Sequence, residues 1–269
     1  MVMTTSSIPY IMDDPREAMR LELKVDPEAW VQKYVAHRLF SGADVLSVGC
    51  GPGVILREIA ESDSSIGTTG IDISPERVRD AIERHSDNSR MKFVCGDAHA
   101  MQFPSNSFDV VYLRMLFQYL QRKEQAISEL VRVCRPGGIV LLQDLDGQLF
   151  WHYPEESAVQ RTLEKVVAAL GRTGFDPFVG RKLFRLAQLG GLENLKVQVE
   201  CYHLIAGDLD PQIFRQWKLK LEIALPRIAQ VLGSEREARE QANRFLEYLC
   251  RPDTLTYSTV FTVTGEKPL

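Results

Sequence analysis

The chain lacks the features that mark several broad classes of protein. None of the apolar runs in its 269 residues reaches the roughly 18 residues that a membrane-spanning helix requires. The N-terminus lacks the basic start and apolar run of a signal peptide, so we expect a cytoplasmic protein with no membrane partner. Its five cysteines are scattered without metal-type spacing. We therefore predict no metal site and expect reduced, mostly buried thiols.

The chain also lacks an excess of charge of either sign. It contains 32 Lys and Arg against 36 Asp and Glu, which gives a formal net charge of −4, and the two signs are interleaved. Proteins that bind nucleic acids usually carry a basic patch that neutralises phosphates. The charge pattern therefore predicts no nucleic-acid partner. The hydrophobic content of 45% is ordinary for a globular domain.

The most informative stretch runs from Asp44 to Gly53 and reads DVLSVGCGPG. A short apolar run with two β-branched valines ends in glycines at alternate positions, Gly49, Gly51 and Gly53, and the following residues have a helical pattern. Because glycine has no side chain, a ligand can approach the backbone of such a turn closely and bind its amides. The pattern predicts a strand, a tight ligand-binding turn and a helix.

The spacing of these glycines distinguishes between two kinds of nucleotide site. A dinucleotide fingerprint requires G-x-G-x-x-G, whereas the sixth position here is Val54 and the last glycine comes one place early. About 20 residues further on, a second predicted strand ends in Asp72, whose carboxylate can accept hydrogen bonds from both ribose hydroxyls. A second acid, Asp97, follows the third predicted strand. Together these features predict a nucleoside pocket.

With these motifs the chain resembles the class I S-adenosylmethionine-dependent methyltransferases, in particular their small-molecule branch. VLSVGCGPG resembles their motif I, GIDIS their motif II, GDAHAMQFPSNSFDVVYL the stretch through strand four, and LVRVCRPGGIVLLQD the approach to strand five. The resemblance is close from about Asp44 to Asp144 and loose in the flanks. It implies S-adenosylmethionine as the cofactor and methyl transfer to an O, N, S or C atom of a small organic molecule, in specialised or cofactor metabolism.

Alternating strand and helix patterns predict an α/β fold with a mostly parallel, doubly wound sheet. The resemblance implies a Rossmann-like sheet of seven strands with an antiparallel last strand. Residues 1–40 are predicted to form lid helices over the cofactor, and 41–269 the methyltransferase domain. Helical insertions are predicted at about 154–190 and 211–252. We expect the second, too long for a hairpin loop, to cap the active-site end.

The resemblance also implies a set of residues that bind the cofactor. Its methionine part would lie over the glycine turn, its ribose on the acid after strand two, and its adenine on the acid and amide after strand three. A lid arginine suits bidentate binding of the methionine carboxylate, although a surface role explains it equally well. The predicted contacts are Tyr10, Arg20, Gly49, Cys50, Gly51, Gly53, Asp72, Ile73, Asp97, Ala98, Arg114 and Gln118.

Methyl transfer from a sulfonium is an in-line displacement, which needs a general base only where the acceptor carries a proton that must leave. The candidate bases are Asp144, at the end of strand five, and His152, in a predicted aromatic loop at 146–154, with His99 and His203 as weaker candidates. In that loop, Trp151 and Tyr153 suit stacking on a planar acceptor. Asp146 and Arg181 are expected at the same rim. Catalysis by proximity alone is left open.

The residues leave three other functions open. A non-catalytic S-adenosylmethionine-binding protein, serving as a regulator or partner subunit, would have the same motifs. A nicotinamide oxidoreductase is disfavoured because Val54 replaces the third glycine. A protein or RNA methyltransferase is disfavoured by the isoelectric point of about 5.8 and by the size of the cap. The sequence does not specify the acceptor, and a homodimer is left open.

Overall fold

A computed structural model describes Asp14, Arg16 and residues 25–269, with the side chains of Gln148 and Leu149 excepted. Two predicted cofactor contacts, Tyr10 and Arg20, lie outside the described residues. So does most of the segment that the sequence predicts to begin the lid.

The described residues form one seven-stranded sheet with a single antiparallel strand. Its strands are β1 (Asp44–Val48), β2 (Gly67–Asp72), β3 (Met91–Cys95), β4 (Phe108–Arg114), β5 (Cys134–Tyr153), β6 (Glu193–Ala206) and β7 (Leu255–Glu266). Their order across the sheet is β3-β2-β1-β4-β5-β7-β6. The first five strands pair in parallel, and β7 is antiparallel to both of its neighbours. The predicted mostly parallel sheet with an antiparallel last strand is confirmed.

Helices connect the strands, and four of those described begin at a side-chain cap. They are α1 (Pro27–Tyr34), α2 (Val54–Ser62), α3 (Pro75–Arg84), α4 (Lys123–Val133), α5 (Ser157–Arg172), α6 (Leu183–Leu189), α7 (Pro211–Leu232) and α8 (Glu235–Leu249). The side chains of Asp26, Ser74, Asp210 and Ser234 accept hydrogen bonds from backbone amides in the first turns of α1, α3, α7 and α8. In the described part of the chain, no helix is long and apolar enough to cross a bilayer.

The core lies on both faces of the sheet, as a doubly wound fold requires. In β1, Leu46 and Val48 belong to a buried cluster with residues of α4 and α6, while Val45 belongs to a second cluster with residues of α1 and α2. All three side chains are at most 1% exposed. A parallel strand buried on both faces is expected to be almost continuously apolar, which explains why β1 was recognisable from its sequence.

The strand β5 is much longer than the sequence predicts. The segment 146–154 was expected to be an aromatic loop, but Trp151, His152 and Tyr153 pair with the start of β7. The ladder is irregular between Asp146 and Trp151 and then resumes. The loop prediction is therefore wrong. Aromatic residues fit a pleated surface well, and a partner strand more than 100 residues away in the sequence provides the ladder.

Three helices form a separate layer at one end of the sheet, and we call α5, α7 and α8 the cap helices. They are held together by a small apolar cluster that includes Val159, Trp217 and Phe245. The first cap helix follows β5, and the other two lie between β6 and β7, where the sequence predicts an insertion. The cysteines are less buried than expected, because Cys95, Cys201 and Cys250 are exposed; all five are free thiols.

Candidate functional site

A cavity of about 490 Å³ lies between the carboxyl ends of the parallel strands and the cap helices. At its sheet end it collects most of the predicted cofactor contacts, although they come from four separate segments of the chain. The contacts that line it are Gly49, Cys50, Gly51, Asp72, Ile73, Asp97, Ala98, Arg114 and Gln118. The exception among the described contacts is Gly53, which is not a lining residue.

The packing of the protein favours glycine at two positions of the turn, Gly49 and Gly53. Gly49, Gly51 and Gly53 all have positive φ, at 71°, 51° and 76°. A Cβ atom on Gly49 would lie 2.7 Å from Leu116 Cδ2, and one on Gly53 would lie 2.8 Å from the Phe93 ring. The sequence prediction attributed all three glycines to close approach of a ligand. For Gly53 the packing supplies a second reason, since a Cβ atom there would clash with an aromatic side chain, and its contact with a ligand stays a prediction.

Asp72 ends β2 and connects two of the segments that border the cavity. One carboxylate oxygen accepts a hydrogen bond from the Gly51 amide at 3.1 Å, and the other accepts one from the Ser74 amide at 3.0 Å. The side chain is buried, with 7% exposed. A carboxylate has about four acceptor positions, so this one retains capacity for further donors such as hydroxyl groups.

Asp97 follows β3 and is paired with a histidine. Its Oδ1 accepts a hydrogen bond from the backbone amide of His99 at 2.9 Å and lies 2.7 Å from His99 Nδ1. The imidazole is almost fully buried, and Gln125 donates to the backbone carbonyl of the same residue. Asp97 therefore holds the histidine in place, and its second oxygen has no hydrogen bond among the described residues.

Arg114 lies on the opposite side of the glycine turn from Asp72. The register pairs Val48 of β1 with Leu113 on one side and with Ile71 on the other. The next residues along the three strands are Gly49, Arg114 and Asp72. The carboxyl end of β1 is thus bordered by a carboxylate on one side and a guanidinium on the other. Arg114 Nε donates to Gln143 Oε1 at 3.0 Å.

Asp144 is a structural acid and does not line the cavity. Its carboxylate is completely buried and accepts hydrogen bonds from the amides of Gln118, at 3.2 Å, and Leu145, at 2.8 Å. Desolvation on burial raises the pKa of Asp144 to about 7. Asp144 therefore fixes the turn that carries Gln118 to the cavity wall. The sequence prediction placed it where the acceptor binds, and the structure does not support that position.

The other predicted catalytic groups lie away from the cavity. His152 is buried in β5, with its ring packed edge-on against Tyr248 at 5.3 Å between centroids. Trp151, Tyr153 and His203 are also absent from the described lining, and Tyr153 is 74% exposed. These positions do not support the predicted base His152 or the predicted aromatic platform. The physical reason is that this segment continues β5 beyond the edge of the cavity.

Arg181 is occupied by an intramolecular ion pair. Its backbone amide and its Nε atom each donate to the Asp146 carboxylate at 2.9 Å. Asp146 is itself 2% exposed, so the pair fixes the start of α6 against β5. Neither residue lines the cavity among the described residues. The expectation that both residues lie at the rim of the site is therefore not supported.

The cap end of the cavity is mostly apolar. The sequence predicts inserted helices that cap this end, but it does not identify the residues of its wall. Its apolar wall consists of Val159, Leu163, Val166, Val167, Leu170, Phe175, Leu221, Ala224, Ile228, Ala242 and Phe245. The polar side chains in this part are Thr162, Gln241, Lys220 and Arg227, and the first two are hydrogen-bonded at 3.0 Å. The apolar residues of α5 recur at helical spacing, which was the available signal. Spacing alone does not distinguish a cavity wall from a packed core.

Known proteins resemble the part of the chain that forms the sheet end of the cavity. Residues 46–142 match a family model described as a methyltransferase domain. The 2-methyl-6-phytyl-1,4-hydroquinone methyltransferase of Synechocystis sp. is 39% identical over 42% of this chain and 37% of its own. The sterol 24-C-methyltransferase of Aspergillus fumigatus is 37% identical over 40% of this chain and 30% of its own. The chain thus spans well under half the length of these relatives.

A solved structure supports the architecture over a longer part of the chain. It is phosphoethanolamine N-methyltransferase 2 of Haemonchus contortus, in complex with phosphomonomethylethanolamine and S-adenosylhomocysteine. The TM-score is 0.58, and the match covers 90% of this chain and 52% of that chain at 18% identity. At this identity the likeness is evidence of the fold alone, and it confirms the predicted Rossmann-like fold.

The overlap at Gly49 predicts a stability effect beyond the positive φ. In Gly49→Ala, the new methyl group must displace Leu116, so we expect a loss of about 1 to 3 kcal/mol in addition to the left-handed backbone penalty of about 1 to 2 kcal/mol. Gly42→Ala is the matched control, because Gly42 has φ of 84° but nothing within 4 Å of its Cβ position. Urea unfolding of both variants measures the difference. Equal losses of stability in the two variants would show that the overlap with Leu116 contributes nothing.

The raised pKa of Asp144 predicts a pH dependence of stability. The folded state favours the protonated carboxyl of Asp144. The contribution of this group to stability is therefore complete below its unfolded pKa near 4 and is lost as the pH rises through about 7. Between pH 5 and pH 8, the free energy of unfolding of Asp144→Asn should therefore rise by roughly 2 to 3 kcal/mol relative to that of the wild type. Asp63→Asn is the control, because hydrogen bonds from Ser65 lower the pKa of Asp63. A difference in stability between Asp144→Asn and wild type that does not change with pH would contradict the raised pKa of Asp144.

Proposed function

We propose that the chain uses S-adenosylmethionine to methylate a small organic acceptor beneath the cap helices. The match of residues 46–142 to a methyltransferase domain supports a place in the class I S-adenosylmethionine-dependent methyltransferases. The observation that carries the proposal is a single cavity joining the glycine turn to an apolar chamber. A transferase of this kind must hold two molecules in contact. Activity, acceptor class and residue roles are all part of the proposal.

The sheet end of the cavity suits the cofactor group by group. Asp72 offers acceptor capacity for the two ribose hydroxyls, and Asp97 with the Ala98 amide suits the hydrogen-bonding edge of adenine. The backbone amides of the glycine turn and the guanidinium of Arg114 suit the methionine part, which carries a carboxylate. Tyr10 and Arg20 remain proposed contacts. When bound, S-adenosylmethionine supplies an electrophilic methyl group.

The cap end suits an acceptor with an apolar body. Its wall is made mainly of aliphatic and aromatic side chains, which favour the burial of an apolar molecule. Thr162 and Gln241 provide a polar pair that can recognise one polar group of the acceptor, while Lys220 and Arg227 add positive charge to the same wall. A chamber roofed by three helices supports a small molecule over a protein or RNA substrate.

We propose that catalysis relies on proximity and the exclusion of water. The described residues that line the cavity include one histidine, His99, and its ring is paired with Asp97. Asp144 and His152 do not line it, so we give neither the role of a base. Alignment of two reactants in a dry site can supply much of the rate enhancement without proton transfer.

Residues 1–40 are proposed to close the cofactor end of the cavity, next to a methyltransferase domain at 41–269. Val25, immediately before the start of α1, is one of the lining residues. This contact supports a lid role for the segment that precedes it.

Titration calorimetry tests the cofactor assignment. We expect S-adenosylhomocysteine to bind in one-to-one stoichiometry and NAD not to bind. Asp72→Asn loses acceptor capacity for the ribose hydroxyls and should weaken binding by about 1 to 3 kcal/mol. Asp80→Asn, on the exposed surface of α3 and paired with Arg84, is the control and should bind as wild type does. Binding of NAD in preference would overturn the proposal in favour of an oxidoreductase.

Filling the chamber tests the acceptor site separately. Ala224→Trp places an indole into the cap end and should abolish binding of the apolar dye anilinonaphthalene sulfonate, while S-adenosylhomocysteine affinity stays within about twofold of wild type. Ala229→Trp, on the same helix but outside the lining, is the control. Transfer of radiolabelled methyl groups to a hydroquinone, a sterol and phosphoethanolamine then samples acceptor classes. Loss of both ligands in Ala224→Trp would argue against two separate subsites.

A further inference from the structure

We propose that Gln143 is a positioning residue that aims Arg114 at the carboxylate of the cofactor and connects that contact to α1. The inference rests on the proposed function, since it concerns how the same site binds the amino-acid part of S-adenosylmethionine. It is carried by a buried hydrogen-bond network whose members come from four separate elements.

The amide of Gln143 has only one orientation that satisfies its neighbours. Its Oε1 accepts hydrogen bonds from Trp30 Nε1 at 2.8 Å and from Arg114 Nε at 3.0 Å, and its Nε2 donates to Thr262 Oγ1 at 2.7 Å. An indole nitrogen and a guanidinium nitrogen can only donate, so a flipped amide would place donors against donors. The side chain is 2% exposed, and an unsatisfied polar group at a buried position is costly. The oxygen is therefore fixed between the two donors.

This hydrogen bond fixes the direction of the Arg114 guanidinium. The Nε–H bond holds one edge of the planar group, and the backbone adds a constraint, because the amide of Met115 donates to the Gln143 carbonyl at 2.8 Å. Arg114 is half-buried and lines the cavity beside the glycine turn. The terminal nitrogens of a guanidinium held in this way form a rigid fork that fits a carboxylate.

The electrostatics of the site favour a carboxylate at this position. Asp72 and Arg114 flank the end of β1 on opposite sides, and a cofactor with hydroxyl donors at one end and a carboxylate at the other matches that order. Asp144 also interacts with Arg114, but its carboxylate accepts hydrogen bonds from the amides of Gln118 and Leu145. It is buried behind the wall and does not line the cavity.

The same oxygen connects the cofactor site to the N-terminal part of the chain. Trp30 belongs to α1, and its ring packs against Tyr112 of β4 with 5.2 Å between centroids. The helix begins just after Val25, which contacts the cavity. Docking of α1 and orientation of Arg114 therefore use one shared acceptor, Gln143 Oε1.

A pair of ligands separates this role from general stability. S-adenosylhomocysteine has the amino-acid carboxylate, whereas 5′-methylthioadenosine has the adenosine and thioether parts without it. Arg114→Met and Gln143→Met should each weaken S-adenosylhomocysteine roughly tenfold or more and leave 5′-methylthioadenosine within about twofold. Because both changes act on one contact, the double variant should lose little more than Arg114→Met alone. Calorimetry and competition titrations measure these affinities.

Further variants keep the test informative. Gln143→Glu retains the acceptor oxygen and should restore the affinity for S-adenosylhomocysteine that Gln143→Met loses. Gln143→Asn retains the amide but withdraws it by one methylene, and should give a milder selective loss even where Gln143→Met does not fold. Thr262→Val removes the partner of Nε2, a hydroxyl that also hydrogen-bonds Tyr34, and should have the smallest effect.

Failure of the Gln143 inference and failure of the proposed function give different results. Equal weakening of both ligands by the Gln143 variants would mean that the residue is merely structural and would overturn the inference. Weakening by Arg114→Met without any effect of the Gln143 variants would show that Arg114 acts without it, which also overturns the inference. If wild-type protein bound neither ligand, the proposed function itself would fail.

Discussion

The hydrogen bond from the Gly51 amide to the Asp72 carboxylate joins the glycine turn to the neighbouring strand, and the site depends on it. The turn needs a positive φ at Gly51, and the carboxylate satisfies the amide that this conformation exposes. The same carboxylate caps the backbone at Ser74, just before α3. One acid thereby sets the shape of two segments that border the cavity, while retaining capacity for ligand hydroxyls.

Features that depend on neighbours in the sequence were predictable. The glycine turn, the acids after β2 and β3, and helices such as α2 and α4 follow from patterns within a few residues, because turn geometry and apolar periodicity are local properties. The parallel sheet follows from repetition of those patterns. The sheet end of the cavity could therefore be assembled from its sequence, including Asp72, Asp97 and Arg114.

Features that depend on distant partners were not predictable. His152 lies in a segment whose aromatic residues suit a loop or a strand equally, and only β7 decides the outcome. The function of Gln143 depends on Trp30, Arg114 and Thr262, which are far apart in sequence and meet in the fold. The apolar face of α5 has the same periodicity whether it borders a cavity or fills a core. In each case the information lies in tertiary contacts.

The cap helices lie in two separate connections between strands, α5 after β5 and the other two between β6 and β7. All of them follow residue 142, where the match to the methyltransferase domain ends. The wall proposed to contact the acceptor is therefore encoded separately from the wall proposed to bind the nucleoside. Substitutions along 157–172 and 211–249 can reshape the chamber without disturbing Asp72 or the glycine turn. The architecture is modular, so the proposed acceptor wall can diverge while the glycine turn and Asp72 stay the same.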